Sequence, residues 1–253
     1  MVAERPWEDG PGSPSAMAST LEAMDTFPTL MMRQGQPLLE NNLHEEFAVT
    51  HDLSQDASIT AAVFHDRSAH TAVIGRSSTS APDFLQGDLS QPFAYDGGLS
   101  SSEGMRLALK QRLGNDVTAT LVYAYAGALA PSGAVDGHFL SDNLDTKYRH
   151  SVAERVSTKI PITDTRMTVT YKWLSGPTVS QQDVFGESVY HIDPYLGLQI
   201  RQPLPRMFPC RMELGADIGN LLAQGYLPIS TSHGPIVVVP AYRYVRGGLS
   251  LEF

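Results

Sequence analysis

The chain has no run of about 20 apolar residues, so no transmembrane helix can be drawn in it. That absence leaves transmembrane β-strands open, because these need only about 9–11 residues of alternating character. Cysteine is nearly missing. Cys210 stands alone, which excludes an internal disulfide and a cysteine-based zinc site. Basic residues are in deficit, 18 Lys and Arg against 27 Asp and Glu, for a net charge of -9. A nucleic-acid partner is therefore disfavoured, since no cationic excess is present to neutralise phosphates. Met1 to Trp7 is charged and contains proline, so the basic start and apolar core of a signal peptide are not visible. An exported protein with this start has either lost its leader or is the C-terminal piece of something longer. The 253 residues, 42% of them hydrophobic, fit one large folded domain or two small ones.

What is present is a period of two. Residues 1–40 are rich in Pro, Gly, Ser and Met and read as a loop-like or disordered leader, with at most one or two helical turns at Ser19 to Met24. From residue 41 to 253 apolar residues alternate with polar ones. In the sharpest case Met167, Val169, Tyr171 and Trp173 share one face, and Arg166, Thr168, Thr170 and Lys172 the other. Met105, Leu107 and Leu109 oppose Arg106 and Lys110. Val117, Leu121, Tyr123 and Tyr125 oppose Thr118 and Thr120. Leu198 and Ile200 oppose Gln199 and Arg201, and Met212 and Leu214 oppose Arg211 and Glu213. Val152, Val156 and Ile160 also share a face, interrupted by Glu154. About nine strands can be counted, ten if one hides in the leader.

The connections alternate in length. Short ones lie at Leu53–Asp56, Leu113–Asp116, Pro161–Asp164 and Pro203–Pro209, and their Gly, Asn, Asp and Pro suit tight turns. Long ones run over about 68–102, 127–148, 175–190 and 220–238. Transmembrane barrels have this pattern, with short periplasmic turns and long extracellular loops. On that topology Tyr123 and Tyr125, and Tyr171 and Trp173, stand near the outer interface, where barrels carry an aromatic girdle. The expected fold is thus all-β: an antiparallel transmembrane β-barrel, or part of one, of about nine to ten strands. An odd count points to a missing N-terminal portion, because bacterial single-chain barrels have an even number.

The chain ends Arg246-Gly247-Gly248-Leu249-Ser250-Leu251-Glu252-Phe253. Arg246, Gly248, Leu251 and Phe253 resemble the C-terminal assembly signal of bacterial outer-membrane proteins. Upstream, Met212 to Tyr226 reads MELGADIGNLLAQGY. With Asn220, Leu221 and Tyr226 it resembles the penultimate strand of TonB-dependent receptors. The resemblance is specific over the last 45 residues or so. It implies the C-terminal barrel part of such a receptor in the outer membrane, with lipid and the barrel-assembly machinery as partners. TonB would act through a plug domain that this chain lacks. The family's full barrel has 22 strands, and no TonB-box candidate stands in the leader.

No residue pattern specifies an active site, so no enzyme and no cofactor are expected. His44, Glu45, Glu46 and His51 suggest a metal only superficially, because strand alternation puts His44 and His51 on opposite faces. His65, His70, His138, His150 and His191 lie near loops rich in serine, as in barrel-rim phospholipases, but no Gly-x-Ser-x-Gly elbow is present. The lumen face carries one sign of charge: Arg106, Lys110, Arg155, Lys159, Arg166, Lys172, Arg201, Arg211 and Arg246. A basic lumen would steer anionic solutes. Pairing with Glu213, Asp217, Glu252 or plug acids explains the same charges structurally. Other acids, among them Asp83, Asp88, Asp96, Asp136, Asp142, Asp145, Asp183 and Glu187, fall in the loops. Two readings stand beside solute transport. One is a passive porin, small structural barrel or adhesin, and the other is a soluble β-sandwich binding module, whose apolar face would pack inward.

Overall fold

Alternation of period two becomes one long meander. The computed structural model describes residues 30–33, 36–77, 93–133, 139–180, 184–185, 195–205, 211–222, 224–231, 234–238 and 243–252. Its strands are β1 (Leu30–Arg33), β2 (Gln36–Leu39), β3 (Asn41–Ser54), β4 (Ala57–Ala69), β5 (Ala72–Ser77), β6 (Phe93–Asp96), β7 (Ser100–Leu113) and β8 (Val117–Pro131). There follow β9 (Leu144–Ile160), β10 (Thr165–Leu174), β11 (Leu196–Pro203), β12 (Arg211–Gly219), β13 (Leu227–Thr231), β14 (Gly234–Val238) and β15 (Tyr244–Glu252). Nine of them form one antiparallel sheet in the order β15-β12-β11-β10-β9-β8-β7-β4-β3. These are the nine segments that alternate in the sequence. The sheet is open: among the described residues β3 and β15 each pair on one side only.

Short connections gather at one end of this sheet and long ones at the other, as their lengths foretold. Residues 55–56, 114–116 and 161–164 close β3–β4, β7–β8 and β9–β10. Gly114 (φ 72°) and Asp164 (φ 54°) supply left-handed backbone in these turns. The Asp164 carboxylate takes a 2.8 Å ion pair from Lys159. That hydrogen bond and charge hold it below the usual carboxylate range.

Two expectations need correction. The connection expected over 127–148 is much shorter, since β8 runs on to Pro131 and β9 starts at Leu144. Residues 127–130 are buried on both sides, so their sequence, Gly-Ala-Leu-Ala, does not alternate although it is strand. The leader is also not loop throughout: β1 and β2 form a hairpin, β1 lies against β6, and Met31 is fully buried. Residues 1–29 lie outside the described residues.

The long connections build a second layer at their end of the sheet. A four-stranded antiparallel sheet, β13-β14-β5-β6, draws β5 and β6 from the β4–β7 connection and β13 and β14 from the β12–β15 connection. Its core holds Val73, Leu129, Leu140, Leu144, Val179, Ile229 and Val238, so all four long connections or their strand roots contribute. Gly97 is needed for close approach there. A Cβ at this position would stand 2.7 Å from Val73 and 3.1 Å from Leu129. This cap obeys the ordinary rule, with apolar side chains inside.

Glu40, between β2 and β3, anchors the cap by accepting the Ala72 N–H at 3.0 Å. Burial pushes its carboxyl above the usual range, against the pull of the Ala72 and Asn42 hydrogen bonds. A carboxyl whose folded pKa is raised contributes stability below its unfolded pKa, and that contribution is lost as pH rises through the folded value. Glu40→Gln keeps an acceptor and removes the titration. It is therefore expected to raise the unfolding temperature relative to the native chain at about pH 7, and to change it little at about pH 4. A variant less stable than the native chain at neutral pH would contradict this.

Candidate functional site

The two faces of the nine-stranded sheet differ in chemistry, and in the opposite sense to the cap. One face is apolar and open. Phe47 is 70% exposed and Trp173 48%, and Val63, Met105, Leu107, Leu121, Tyr123, Tyr171, Leu214, Leu249 and Leu251 are exposed with them. The other face is polar and enclosed. Arg106, Lys172 and Arg201 are 8%, 5% and 7% exposed, and Ser151, Ser157, Thr170 and Asp217 are buried there too. Alternation along each strand puts both sets where the sequence placed them. Leu251 and Gly248 lie on β15 as expected, Gly248 in register with Gly215; Phe253 lies outside the described residues.

The aromatic residues of the open face line up across strands. Tyr123 and Trp173 both pair with Val152, and Tyr125 pairs with His150. Tyr125 stacks on Tyr148 with centroids 5.4 Å apart and meets the His150 ring at 4.7 Å. Tyr123 Oη and His150 Nδ1 are hydrogen-bonded at 2.7 Å. His150 is thus engaged by tyrosines. Similarly His65 Nε2 accepts from Arg67 and His70 contacts Asp96 at 3.3 Å. His138 and His191 lie outside the described residues. His44 bonds Asp66 through Nδ1 and Glu46 through Nε2, so both ring nitrogens are used.

The cations of the enclosed face are held by rings and acids. Arg106 donates to Glu46 at 2.6 Å and lies 5.7 Å from the Phe64 centroid. Gly104 makes room for that ring, since a Cβ there would fall 2.3 Å from it. Arg155 lies 4.1 Å from the Phe185 centroid, Lys172 5.2 Å from Tyr195, and Arg246 4.6 Å from Tyr244. Cation–π contact of this kind contributes about 0.5–2 kcal/mol, more when desolvated. Arg201 and Asp217 form a bidentate pair at 2.7 and 3.0 Å. Lys110 is exposed. Arg211 pairs with Glu252 in register, and its side chain is outside the described set. Lys159, Arg166 and Arg201 stand side by side on three strands; Asp164 and Asp217 pair the two outer ones.

Sequence reasoning put Tyr195 on the polar face but paired no ring with a cation. Phe64, Phe185, Tyr195 and Tyr244 come from strands with weaker patterns or from connections. Phe185 and Val184 belong to the β10–β11 connection yet pack on the enclosed face against Val122, Ala153 and Ala108. Those three apolar residues stand in register on β7, β8 and β9, an apolar island on an otherwise polar surface. The island was a legible signal that something covers it.

A cleft opens where β10 ends, with a volume of about 360 Å³. Its walls come from the end of β10, from residues 176–178, from Tyr195 before β11, and from residues 224–227 after β12. Asn220, fully buried with φ 50°, sets the last wall: its side chain donates to the Gln224 carbonyl and accepts the Gln224 N–H. Gly225, at φ 89°, then lies flat on Tyr195, where a Cβ would come within 2.8 Å of the ring. Burial pushes the Tyr195 phenol up, and its hydrogen bond with Thr178 pulls the other way.

No family model, curated protein or solved structure matches the chain. The physical arrangement alone therefore carries the functional reading. Among the described residues no helix is long and apolar enough to cross a membrane, which says nothing of strands.

Proposed function

We propose that this chain is part of a bacterial outer-membrane β-barrel, the C-terminal barrel portion of a TonB-dependent receptor-like solute transporter. The observation that carries the reading is the inverted sheet, with apolar side chains outward and Arg106, Lys172, Arg201 and Asp217 inside. Water penalises that arrangement, because apolar surface gains nothing by facing it. A lipid exterior and a polar lumen reward it. The cap in the same chain follows the aqueous rule, which fits two solvents around one protein. The open face from Val117 to Tyr125 covers about nine residues, the length a spanning strand needs. Its aromatic row stands toward the end that bears the cap, as a girdle at the outer interface would. Glu154 interrupts this face between Leu121 and Tyr171.

Strand parity supports a part rather than a whole. The first and ninth strands of an antiparallel series point the same way, so β3 and β15 could meet only in parallel. Antiparallel closure needs an odd number of further strands running the other way. In the receptor reading these come from the rest of the barrel, along with the plug through which TonB would act. Arg246, Gly248, Leu251 and Phe253 would be the signal read by the assembly machinery. Among the described residues no second sheet covers the apolar face, which argues against the soluble sandwich.

Single cysteines at Leu107, Leu121 and Val169, in a Cys210→Ser background, test the reading. Labelled with a fluorophore in lipid vesicles, they are expected to be quenched by brominated acyl chains. Cysteines at Thr118 and Thr168 should answer to aqueous quenchers instead. Aqueous quenching of the first set would sink the membrane reading.

A further inference from the structure

We propose that the open face of β9 and β10 docks in the membrane against the same face of a second copy of this chain, with Glu154 of each copy bound to Tyr171 of the other. The dimer rests on the membrane reading and adds a partner to it. Glu154 is exposed on the open face. It pairs with Leu121 of β8, halfway along the Val117–Tyr125 stretch, and with Tyr171 of β10. Val152 and Val156 flank it on the same face of its own strand. Among the described residues its carboxylate has no hydrogen-bond or ion-pair partner. An ionisable group on a lipid face at that depth is costly, and it marks a site whose partner comes from elsewhere.

Every Lys and Arg of β9 and β10 falls on the enclosed face, so these strands bring Glu154 no cation, from this copy or another. A phenol is at hand instead. Tyr171 is 40% exposed, and its hydroxyl likewise has no hydrogen-bond partner among the described residues. A carboxyl accepts a phenolic O–H whether it is ionised or protonated, and no water competes for that bond among acyl chains. The register makes the face self-complementary. Glu154 and Tyr171 stand side by side on adjacent strands, and Val152 and Trp173 do so one pleat nearer the cap. A two-fold axis along the bilayer normal, running between β9 and β10, carries each of these β9 residues to its β10 neighbour in the second copy. Glu154 and Tyr171 then meet twice, once in each direction, and Val152 lies against the ring of Trp173. A two-fold contact requires this reciprocity. An axis through Glu154 itself would set carboxyl against carboxyl, which fixes the axis between the strands.

The full chain, labelled at its sole cysteine, Cys210, with a donor or an acceptor dye and reconstituted as a mixture into lipid vesicles, reads association by energy transfer. The native chain is expected to show transfer that saturates as the protein-to-lipid ratio rises. Glu154→Leu and Tyr171→Phe each remove both polar contacts of the dimer, and each should weaken association by about tenfold. Both substitutions suit a lipid face, so the fold is retained. Donor-labelled Glu154→Leu mixed with acceptor-labelled Tyr171→Phe keeps one Glu154–Tyr171 contact and sets the two new apolar side chains together. That mixture should therefore associate more tightly than either variant alone. A mixture no tighter than the single variants would overturn the proposal. So would native chains showing only the transfer of random mixing, or a Glu154→Leu chain that associates undiminished. Acyl-chain quenching at Leu107, on β7 and away from this contact, reads the membrane placement separately: lost association with that quenching intact removes the dimer alone, whereas aqueous quenching at Leu107 removes the bilayer on which the dimer rests.

Discussion

Val169→Arg is expected to cost about 2–4 kcal/mol in a bilayer, the value for a guanidinium placed at mid-depth on a lipid face. Val169 stands on β10 between Val156 and Leu198, below the aromatic row and away from either strand end. Its neighbour Thr168 faces the enclosed side, where its hydroxyl bonds Ser157 at 3.1 Å. Thr168→Arg therefore loses about one neutral hydrogen bond, near 1 kcal/mol, while the new charge reaches a polar surface. Adjacent residues given the same substitution should differ several-fold in cost, as measured by urea unfolding from vesicles. In a water-soluble sheet the order would change, because an Arg at a half-exposed surface valine falls within about 0.5 kcal/mol of neutral. Equal costs at the two positions would mean that neither face meets lipid.

Removing one member of the Arg201–Asp217 pair should be as damaging for a different reason. The pair is bidentate and buried. Asp217→Ala strands the guanidinium, whose Nε already lacks a partner. It also strips the acid that stands in register with Arg246 on β15. Breaking a buried pair from one side costs about 3–5 kcal/mol, mostly the uncompensated charge. The double replacement of Arg201→Met with Asp217→Leu removes both charges and should recover most of that loss. A double variant no better than Asp217→Ala would show that the pair matters for the β11–β12–β15 register rather than for charge balance. Chemical denaturation of the three proteins side by side distinguishes these outcomes.

Much of this structure was legible before folding. Alternation along Arg166–Trp173 or Val117–Tyr125 is a local property of a strand, since successive side chains must point to opposite faces. Nine strands, their antiparallel succession and the chemistry of each face all follow from it. Connection length assigned the two ends, because a hairpin turn of two to four residues leaves no room for anything else. The cleft was only half visible: Lys172 and Trp173 stand in a clear strand, but nothing near them in sequence announces Tyr195 or the wall at Gln224–Leu227.

Where burial is two-sided, as at residues 127–130, alternation vanishes and the strand disappears from view. The cap was hidden for a related reason. Strands of four to six residues such as Phe93–Asp96 and Ala72–Ser77 are too short to show a period, and β5 finds β14 across more than 150 residues of chain.

The sequence by itself thus determined the nine long strands, the polarity of their two faces and their alternating direction, all set by local sterics and pattern. Only the tertiary structure decided which cation meets which ring or acid, that Val184 and Phe185 cover the apolar island, and that the long connections share one core. Those contacts join residues far apart in the chain, and register between strands, set by packing and hydrogen bonding together, chooses them.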